Sequence, residues 1–490
     1  MSTRAVLLKS DRSTIAFAIL AAGAGAGAGI LAASVANPLG ILILIAAPIA
    51  ALATFARLEW GLLAFVFITY TRMSDVFIHS HGLPSIAQPL QVVLLGAILV
   101  RRWWYGERPT GWARPAQLLF GYALVGALSL VYAADSARSQ NALIDYVKDA
   151  TVALSVVLLL RQGSTLRRVI WALLAAGILM GSISVYQQLT GHFESDFLGF
   201  GHAPVKNIVD NESDYRVAGP IGDPNFYAQV MLVLVPLALD RLWNERSRLL
   251  RSVAGWAFVV CALTVIFTYS RGGFLGLVVV LAIMLMRHPP RPLAVAITVA
   301  VAVPLLQFVP QDYVDRIRTL TDALPFAGGE VSEDSSLRGR LSESTAGWMM
   351  FSDHPLFGVG LNNYPVYYQQ YSRQLGLDQR REARSPHSLY LQIAAEMGWV
   401  GLCAFGFVLW VMFRRLRRAY LAFSRAQRPE TAGMVMALCI GLIGYLTAAL
   451  FLHAAYPRFF WLLVGIALTL PQVADHELRP AAQRESERRA

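Results

Sequence analysis

Residues 390–418 read YLQIAAEMGWVGLCAFGFVLWVMFRRLRR, a largely apolar run that is followed at once by an arginine-rich segment. About 20 apolar residues are enough for a helix to cross the ~30 Å hydrocarbon core of a bilayer. Basic residues at the end of such a run are typical of a loop that stays in the cytoplasm. This stretch therefore predicts a membrane-spanning helix whose carboxyl end is cytoplasmic.

The same pattern recurs along the whole chain. Of 490 residues, 56% are hydrophobic and 15% charged, whereas a soluble protein carries about 25% charged residues. We predict an all-α, polytopic transmembrane helical bundle of about 12–14 spans with a large, partly helical extracytoplasmic loop. The predicted spans are 14–33, 38–56, 59–72, 86–101, 115–134, 145–160, 168–188, 225–241, 250–269, 272–287, 292–310, 390–413, 432–454 and 456–473.

Arginine placement predicts the topology. The arginines cluster in alternate loops, which places both termini in the cytoplasm by the positive-inside rule. The net charge of +11 is thereby explained without a nucleic-acid partner. The predicted segments are N-terminal helices (1–188), an extracytoplasmic loop (189–224), central helices (225–310), a large extracytoplasmic loop (311–389), C-terminal helices (390–473) and a cytoplasmic tail (474–490). Span 14–33 resembles a signal peptide in part, and we favour a retained helix.

Two arginines stand where predicted loops meet predicted spans on the extracytoplasmic side. Arg216 precedes Asp223-Pro224, which is a typical helix start. Arg271 lies in Ser270-Arg271-Gly272-Gly273, where two spans leave almost no loop between them. A charge at the position of Arg271 snorkels to water or pairs with an anion, and Arg216 could be an interfacial anchor. The glycines after Arg271 would let a ligand approach the backbone closely.

Two titratable residues lie at the boundary of the span that begins near residue 390. His387 is predicted in the first turn of that helix, where the positive helix end favours a neutral ring that could accept a proton. Glu396 lies roughly 13 Å further along the axis and on another face, so we do not expect a direct dyad. A lone histidine at such a boundary is more often a structural hydrogen-bonding group, and both interpretations stay open. No metal site is predicted, because the three cysteines lie singly inside apolar runs.

Taken together, these motifs resemble the O-antigen ligase/polymerase superfamily. The resemblance covers roughly residues 180–470. Its motifs are Tyr215-Arg216 with Gly219 and Asp223-Pro224-Asn225, Ser270-Arg271-Gly272-Gly273, His354-Pro355-Leu356-Phe357-Gly358-Val359-Gly360, and His387-Ser388 with Glu396-Met397-Gly398 and Gly401. Such a resemblance implies a metal-independent glycosyltransferase of the bacterial inner membrane, without a cofactor, whose site is extracytoplasmic. It also implies transfer of a glycan from a polyprenyl (undecaprenyl) diphosphate carrier to a hydroxyl of lipid A-core, a growing polysaccharide or a protein.

The resemblance also implies roles for particular residues. Arg216 and Arg271 would hold the diphosphate, for which the planar guanidinium fork is well suited. His387 would orient or deprotonate the acceptor hydroxyl or help to hold the phosphate. The remaining predicted substrate-binding residues are Ser270, Asn225, Arg384 and Glu396.

Two other classes of protein fit a chain of this kind. A polysaccharide or glycolipid transporter (flippase) has a similar number of spans, but it usually shows repeats and broken helices, and the sequence shows neither. A non-catalytic assembly subunit would keep its function when the arginines are replaced. Ligase, polymerase and protein O-glycosylase cannot be divided by these motifs.

The topology can be tested by single-cysteine labelling on a background that lacks the native cysteines. We expect positions near 205 and 335 to react with an impermeant reagent in intact cells, and positions near 105, 245 and 420 to be protected. Labelling of position 335 only after lysis would contradict the predicted orientation.

Overall fold

The computed structural model describes residues 48–104, 106, 111–209, 212–288, 335–375, 384–452 and 458–478. The predicted spans 14–33 and 292–310 lie outside the described residues, as does most of the tail 474–490. The same holds for parts of span 38–56 and of loop 311–389.

Helices make up nearly all of the regular structure. The helices are α1 (Leu58–Tyr70), α2 (Met73–His81), α3 (Ala87–Trp104), α4 (Ala113–Leu128), α5 (Ser136–Leu159), α6 (Gly163–Thr190), α7 (Pro224–Asn244), α8 (Arg248–Phe267), α9 (Arg271–Arg287), α10 (Ser335–Asp353), α11 (Tyr364–Leu375), α12 (Leu389–Arg425), α13 (Pro429–Ala448) and α14 (Arg458–Leu478). Residues 48–56 are also helical. Between α6 and α7, an antiparallel hairpin of β1 (Val205–Val209) and β2 (Glu212–Tyr215) is the one sheet in the described part of the chain.

Seven of these helices are long and apolar enough to cross a membrane, which confirms the all-α, multi-pass prediction. They are α4, α6, α7, α8, α12, α13 and α14, and the pair α1 and α2, bent by 55°, would make an eighth. Helices α3, α5 and α9 occupy three further predicted spans but are shorter or carry more charge. The most apolar stretches of α7 and α14 are 83% buried, so these two helices form the centre of the bundle.

Helix α12 is broken inside its apolar run. It extends beyond the predicted span 390–413, and Gly398 leaves the helical conformation with φ 60° and ψ −156°. The segment 355–360 lies beside the break and forms four backbone hydrogen bonds with α12. These are Trp399 N to Pro355 O (2.8 Å), Val400 N to Leu356 O (3.1 Å), Val359 N to Ala395 O (2.9 Å) and Gly360 N to Glu396 O (2.9 Å). This break and the bend between α1 and α2 are broken helices of which the sequence showed no sign.

The residues that follow this segment dock onto the connection between α4 and α5. Asn363 is fully buried, and its amide donates to Asp135 O (3.2 Å) and Ser139 Oγ (2.8 Å) and accepts from Asp135 N (2.8 Å). Nearby, the Tyr132 hydroxyl donates to Phe357 O (2.6 Å). Residues 355–363, called the clasp, therefore join α12 to α4 and α5. The side of the bundle that carries the clasp, α10 and α11 is called the loop face.

At the opposite end of the bundle, charged side chains join α6, α7 and α13. Arg241 is buried at the end of α7, where it contacts Asp240 (2.7 Å) and Glu430 (3.1 Å). Arg167 pairs with Glu245. Buried charges are tolerated when they are paired in this way, so Arg241 has a structural role in addition to its place in a basic segment.

We predict that Asn363→Ala lowers the free energy of unfolding by about 1–3 kcal/mol, because it leaves buried polar groups of the α4–α5 connection without a partner. Thermal or denaturant unfolding of the purified protein in detergent measures this loss. Gln370→Ala, on an exposed position of α11, is the matched control and should change stability by less than about 0.5 kcal/mol. Equal stability of the two variants would contradict the structural role of the clasp.

Candidate active site

Arg216 joins three parts of the loop face. It follows β2 directly, its Nε donates to the Thr268 carbonyl oxygen at 2.7 Å, and its Nη2 donates to Asn225 Oδ1 at 3.0 Å. Asn225 lies in the first turn of α7, and Thr268 ends α8. The guanidinium group is therefore held between the beginning of α7 and the turn that leads to Arg271.

The turn between α8 and α9 is as tight as the sequence predicts. Tyr269 adopts φ +50°, and the Ser270 hydroxyl caps α9 by accepting a hydrogen bond from Gly273 N at 3.2 Å. Arg271 is the first residue of α9. Likewise, Asp223 caps α7 by accepting from Phe226 N at 2.7 Å, which confirms the predicted start of that helix.

The structure thus brings Arg216, Asn225, Ser270 and Arg271 into one corner, called the arginine corner. Two helices, α7 and α9, also begin at this corner. Backbone N–H groups and the helix dipole make a helix amino terminus attractive to anions, and the Arg216 guanidinium group adds to this effect. The corner is chemically suited to a phosphate or diphosphate.

The glycines that follow Arg271 serve helix packing. A Cβ atom at Gly272 would lie 3.1 Å from Phe451 Cβ, and one at Gly273 would lie 2.6 Å from Ala228 Cβ. At Gly276 the nearest atom would be Leu232 Cδ2, at 2.4 Å. These contacts bring α9 close to α7 and α13, and they account for the glycines without the ligand approach that we expected from the sequence.

If packing is the reason for these glycines, Gly273→Ala should lower the free energy of unfolding by about 1–3 kcal/mol through overpacking. This loss would occur although alanine favours a helix by about 1 kcal/mol over glycine. The control is Gly406→Ala in α12, where the new methyl group meets no atom within 4 Å and should be neutral or stabilising. If the Gly273→Ala protein were as stable as the control, packing would not explain these glycines, and the interpretation that they let a ligand approach would be favoured.

His387 contacts a carboxylate that the sequence motifs did not reveal. His387 Nε2 lies 3.3 Å from Glu343 Oε2, and Arg384 Nη1 lies 2.8 Å from Glu343 Oε1. Glu343 is only 2% exposed and belongs to α10. It lies 44 residues before His387 in the chain. We call these three residues the histidine corner. The one sequence signal that could have pointed to Glu343 is helical spacing. This spacing puts Glu343 on the buried face of α10, together with Ser342, Ala346 and Met350.

Tyr364 holds the backbone at Glu343 in place. Its hydroxyl donates to the Glu343 carbonyl oxygen. Burial, with a smaller contribution from the Glu343 charge, raises the pKa of Tyr364, so the phenol remains a hydrogen-bond donor at neutral pH. The Glu343 carboxylate is therefore fixed both through its backbone and through its side-chain partners.

The predicted position of His387 is wrong by two residues. Helix α12 begins at Leu389 and is capped by the Ser388 hydroxyl, so His387 precedes the cap and does not lie in the first turn. The chain before Ser388 has a nonhelical course, which directs His387 toward α10. The ring therefore lies beside the Glu343 carboxylate.

Glu396 lies in neither corner. It is 1% exposed, and its carboxylate accepts hydrogen bonds from the backbone N–H groups of Asn362 and Tyr364 at the start of α11. Gln392 Nε2 also donates to it, at 3.4 Å. These contacts describe a buried cap for α11. The substrate-binding role predicted for Glu396 stays a prediction without a contact that favours it.

Both corners rest on the same end of α13. The Tyr390 hydroxyl, three residues after His387, donates to Leu446 O at 2.9 Å. Gly272, next to Arg271, packs against Ala448 and Phe451. Residues adjoining both corners therefore contact the same end of α13, residues 446–451.

Among the described residues, no group of three or more His, Cys, Asp or Glu side chains is arranged to hold a metal ion. A comparison with curated proteins found no match. The comparison with protein families found that residues 256–406 match the O-antigen ligase family. The matched segment contains Ser270, Arg271, Glu343, Arg384 and His387. This match covers about a third of the chain, and it supports the resemblance of the sequence motifs to the O-antigen ligase/polymerase superfamily.

Proposed function

We propose that the protein is a membrane glycosyltransferase that moves a glycan from a polyprenyl (undecaprenyl) diphosphate carrier to an acceptor hydroxyl. The observation that carries this proposal is that residues adjoining the arginine corner and the histidine corner contact the same end of α13. A cationic anion-binding corner beside a histidine–carboxylate pair is the arrangement that diphosphate departure and hydroxyl activation require. The family match supports the same class of reaction.

In the proposed reaction, the acceptor oxygen bonds to the anomeric carbon while the bond from that carbon to the diphosphate oxygen breaks. The electron pair stays with the diphosphate, and Arg216 and Arg271 stabilise the charge that develops on it. The acceptor proton passes to His387. Glu343 holds the ring through Nε2 and stabilises the imidazolium that forms, so that Nδ1 is the proton-accepting atom.

The location of this site follows from the proposed topology. We place both termini in the cytoplasm of the bacterial inner membrane and the loop face on the extracytoplasmic side, where a membrane-bound carrier can present its glycan. The boundaries 1–188, 189–224, 225–310, 311–389, 390–473 and 474–490 stay part of this proposal. The acceptor would be lipid A-core, a growing polysaccharide or a protein, and the reaction would need no metal ion.

A transporter is the second candidate, because broken helices are a feature of transporters. The backbone groups at the break near Gly398 are hydrogen-bonded to the clasp. In transporters, such groups instead coordinate ions or substrates. The break in α12 therefore supports a structural joint, and the enzyme is the better-supported function.

Arg216→Ala and Arg271→Ala should each abolish glycan transfer while the protein still folds and inserts. Arg216→Lys and Arg271→Lys should rescue poorly, since an ammonium group cannot reproduce the bidentate guanidinium fork. Transfer by purified variants in proteoliposomes measures both effects. Arg287→Ala, at the other end of α9, is the control and should retain normal transfer. Near-normal activity of both lysine variants would show that these positions need only a positive charge, which would contradict the bidentate role.

His387→Ala should still bind the lipid-linked donor but transfer its glycan about 10²–10⁴-fold more slowly, the usual cost of losing a general base. Glu343→Gln should lower the rate by about tenfold or more, because the imidazolium loses its counter-charge. Asp353→Asn, at the end of the same helix, should have little effect on the rate.

Donor binding and single-turnover rate, measured separately, decide between two roles for His387. Weak donor binding by His387→Ala, with normal turnover of the bound fraction, would make this residue a phosphate ligand and contradict its role as a base.

A further inference from the structure

Large apolar side chains are exposed along one edge of the loop face. Trp348 of α10 is 60% exposed and Trp399 of α12 is 56% exposed, and Leu356 and Phe357 of the clasp are exposed between them. These four residues form what we call the aromatic rim. Contiguous apolar surface of this kind marks a contact with a membrane or another protein.

The aromatic rim is continuous with the membrane-spanning surface. The Phe351 ring contacts both tryptophans, with centroids 5.8 Å from Trp348 and 5.5 Å from Trp399. On the other side, Phe357 packs against Tyr132 with centroids 6.1 Å apart, just beyond the exposed end of α4. The rim therefore joins α10 to two helices that are apolar enough to cross the bilayer.

The length of α12 gives the depth of the rim. Fifteen residues separate Trp399 from Arg414, which corresponds to about 22 Å of helix. If Arg414 marks one boundary of a hydrocarbon core of ~30 Å, Trp399 lies toward the opposite boundary. Tryptophan is enriched at this level because its ring is apolar and its N–H group is polar.

Helix α10 presents two apolar side chains on its outward face at this depth. Leu341 and Trp348, two turns apart, are exposed on one face. Glu343, Ala346 and Met350 are buried on the other face, against the rest of the protein. An interfacial helix lies in the membrane plane with its apolar face in the boundary between headgroups and acyl chains.

From these observations we infer that α10 lies in the membrane interface on the loop face, with the aromatic rim in contact with phospholipid. The occupant of the rim is the bilayer itself. Since Glu343 is on the opposite face of the same helix, this contact fixes the height of the Glu343–His387 pair above the lipid. That consequence rests on the proposed function, whereas the contact with lipid does not.

Site-directed spin labelling tests the contact without any measurement of transfer. Full-length protein in phospholipid nanodiscs would carry one nitroxide at Leu341→Cys or Trp348→Cys, with all native cysteines replaced by alanine. Two references bracket the result. One is native Cys403, exposed on α12 and closer to the bilayer centre, and the other is Gln370→Cys on an exposed polar position of α11.

The measured quantity is the ratio of the nitroxide's collision rate with oxygen to its collision rate with a water-soluble nickel chelate. We expect this ratio to be several-fold higher at positions 341 and 348 than at position 370. It should be closer to the ratio at position 403. Because Leu341 is the smaller side chain, its variant keeps the test informative if Trp348→Cys folds poorly. Aqueous behaviour like that of position 370 at both sites would overturn the inference. So would protection of both sites by added saccharide alone, which would make the rim a glycan-stacking surface.

Discussion

The architecture of the loop face depends on backbone hydrogen bonding at the break in α12. Inside a membrane, every N–H and C=O group needs a partner within the protein, and the break at Gly398 removes the helical partners of several such groups. The clasp supplies them. Two glycines permit this approach, since a Cβ at Gly358 would lie 2.3 Å from the Glu396 carbonyl carbon and one at Gly398 would lie 2.5 Å from Leu356 O. Once the clasp is bound there, α10 and α11 on either side of it are also fixed.

This joint is what positions the histidine corner. The chain reaches Glu343 from the amino-terminal side of the clasp and His387 from its carboxyl-terminal side, yet the two side chains meet at 3.3 Å. Glu396, in the same stretch of α12, caps α11, and this structural role explains why it is buried. The arginine corner is built separately, from the turn between α8 and α9, the start of α7 and the end of the hairpin. Residues adjoining both corners contact the end of α13.

The parts that were predictable from sequence are those with local signals. Apolar length predicted the spanning helices, Asp223-Pro224 predicted the start of α7, and two adjoining spans predicted the tight turn at Arg271. The Glu343–His387 contact has no such signal, because it depends on how α10 packs against the chain before α12. The break at Gly398 was missed for a related reason. A glycine in an apolar helix is ordinary, and only the four hydrogen bonds to a distant segment show why it is needed. The packing contacts of the glycines after Arg271 have no signal in the sequence, because their neighbours lie on other helices.

The most direct test of the account is acceptor-dependent release of the carrier by purified protein. The protein in nanodiscs, with a metal chelator present, would receive a polyprenyl-diphosphate-linked glycan with or without a hydroxyl acceptor. The account predicts that free polyprenyl diphosphate appears only with the acceptor and in equal amount to the new glycosidic linkage. Release that requires a divalent cation would contradict the metal-independent reaction. An intact donor that is merely moved across the membrane, with no bond broken, would contradict glycosyl transfer itself.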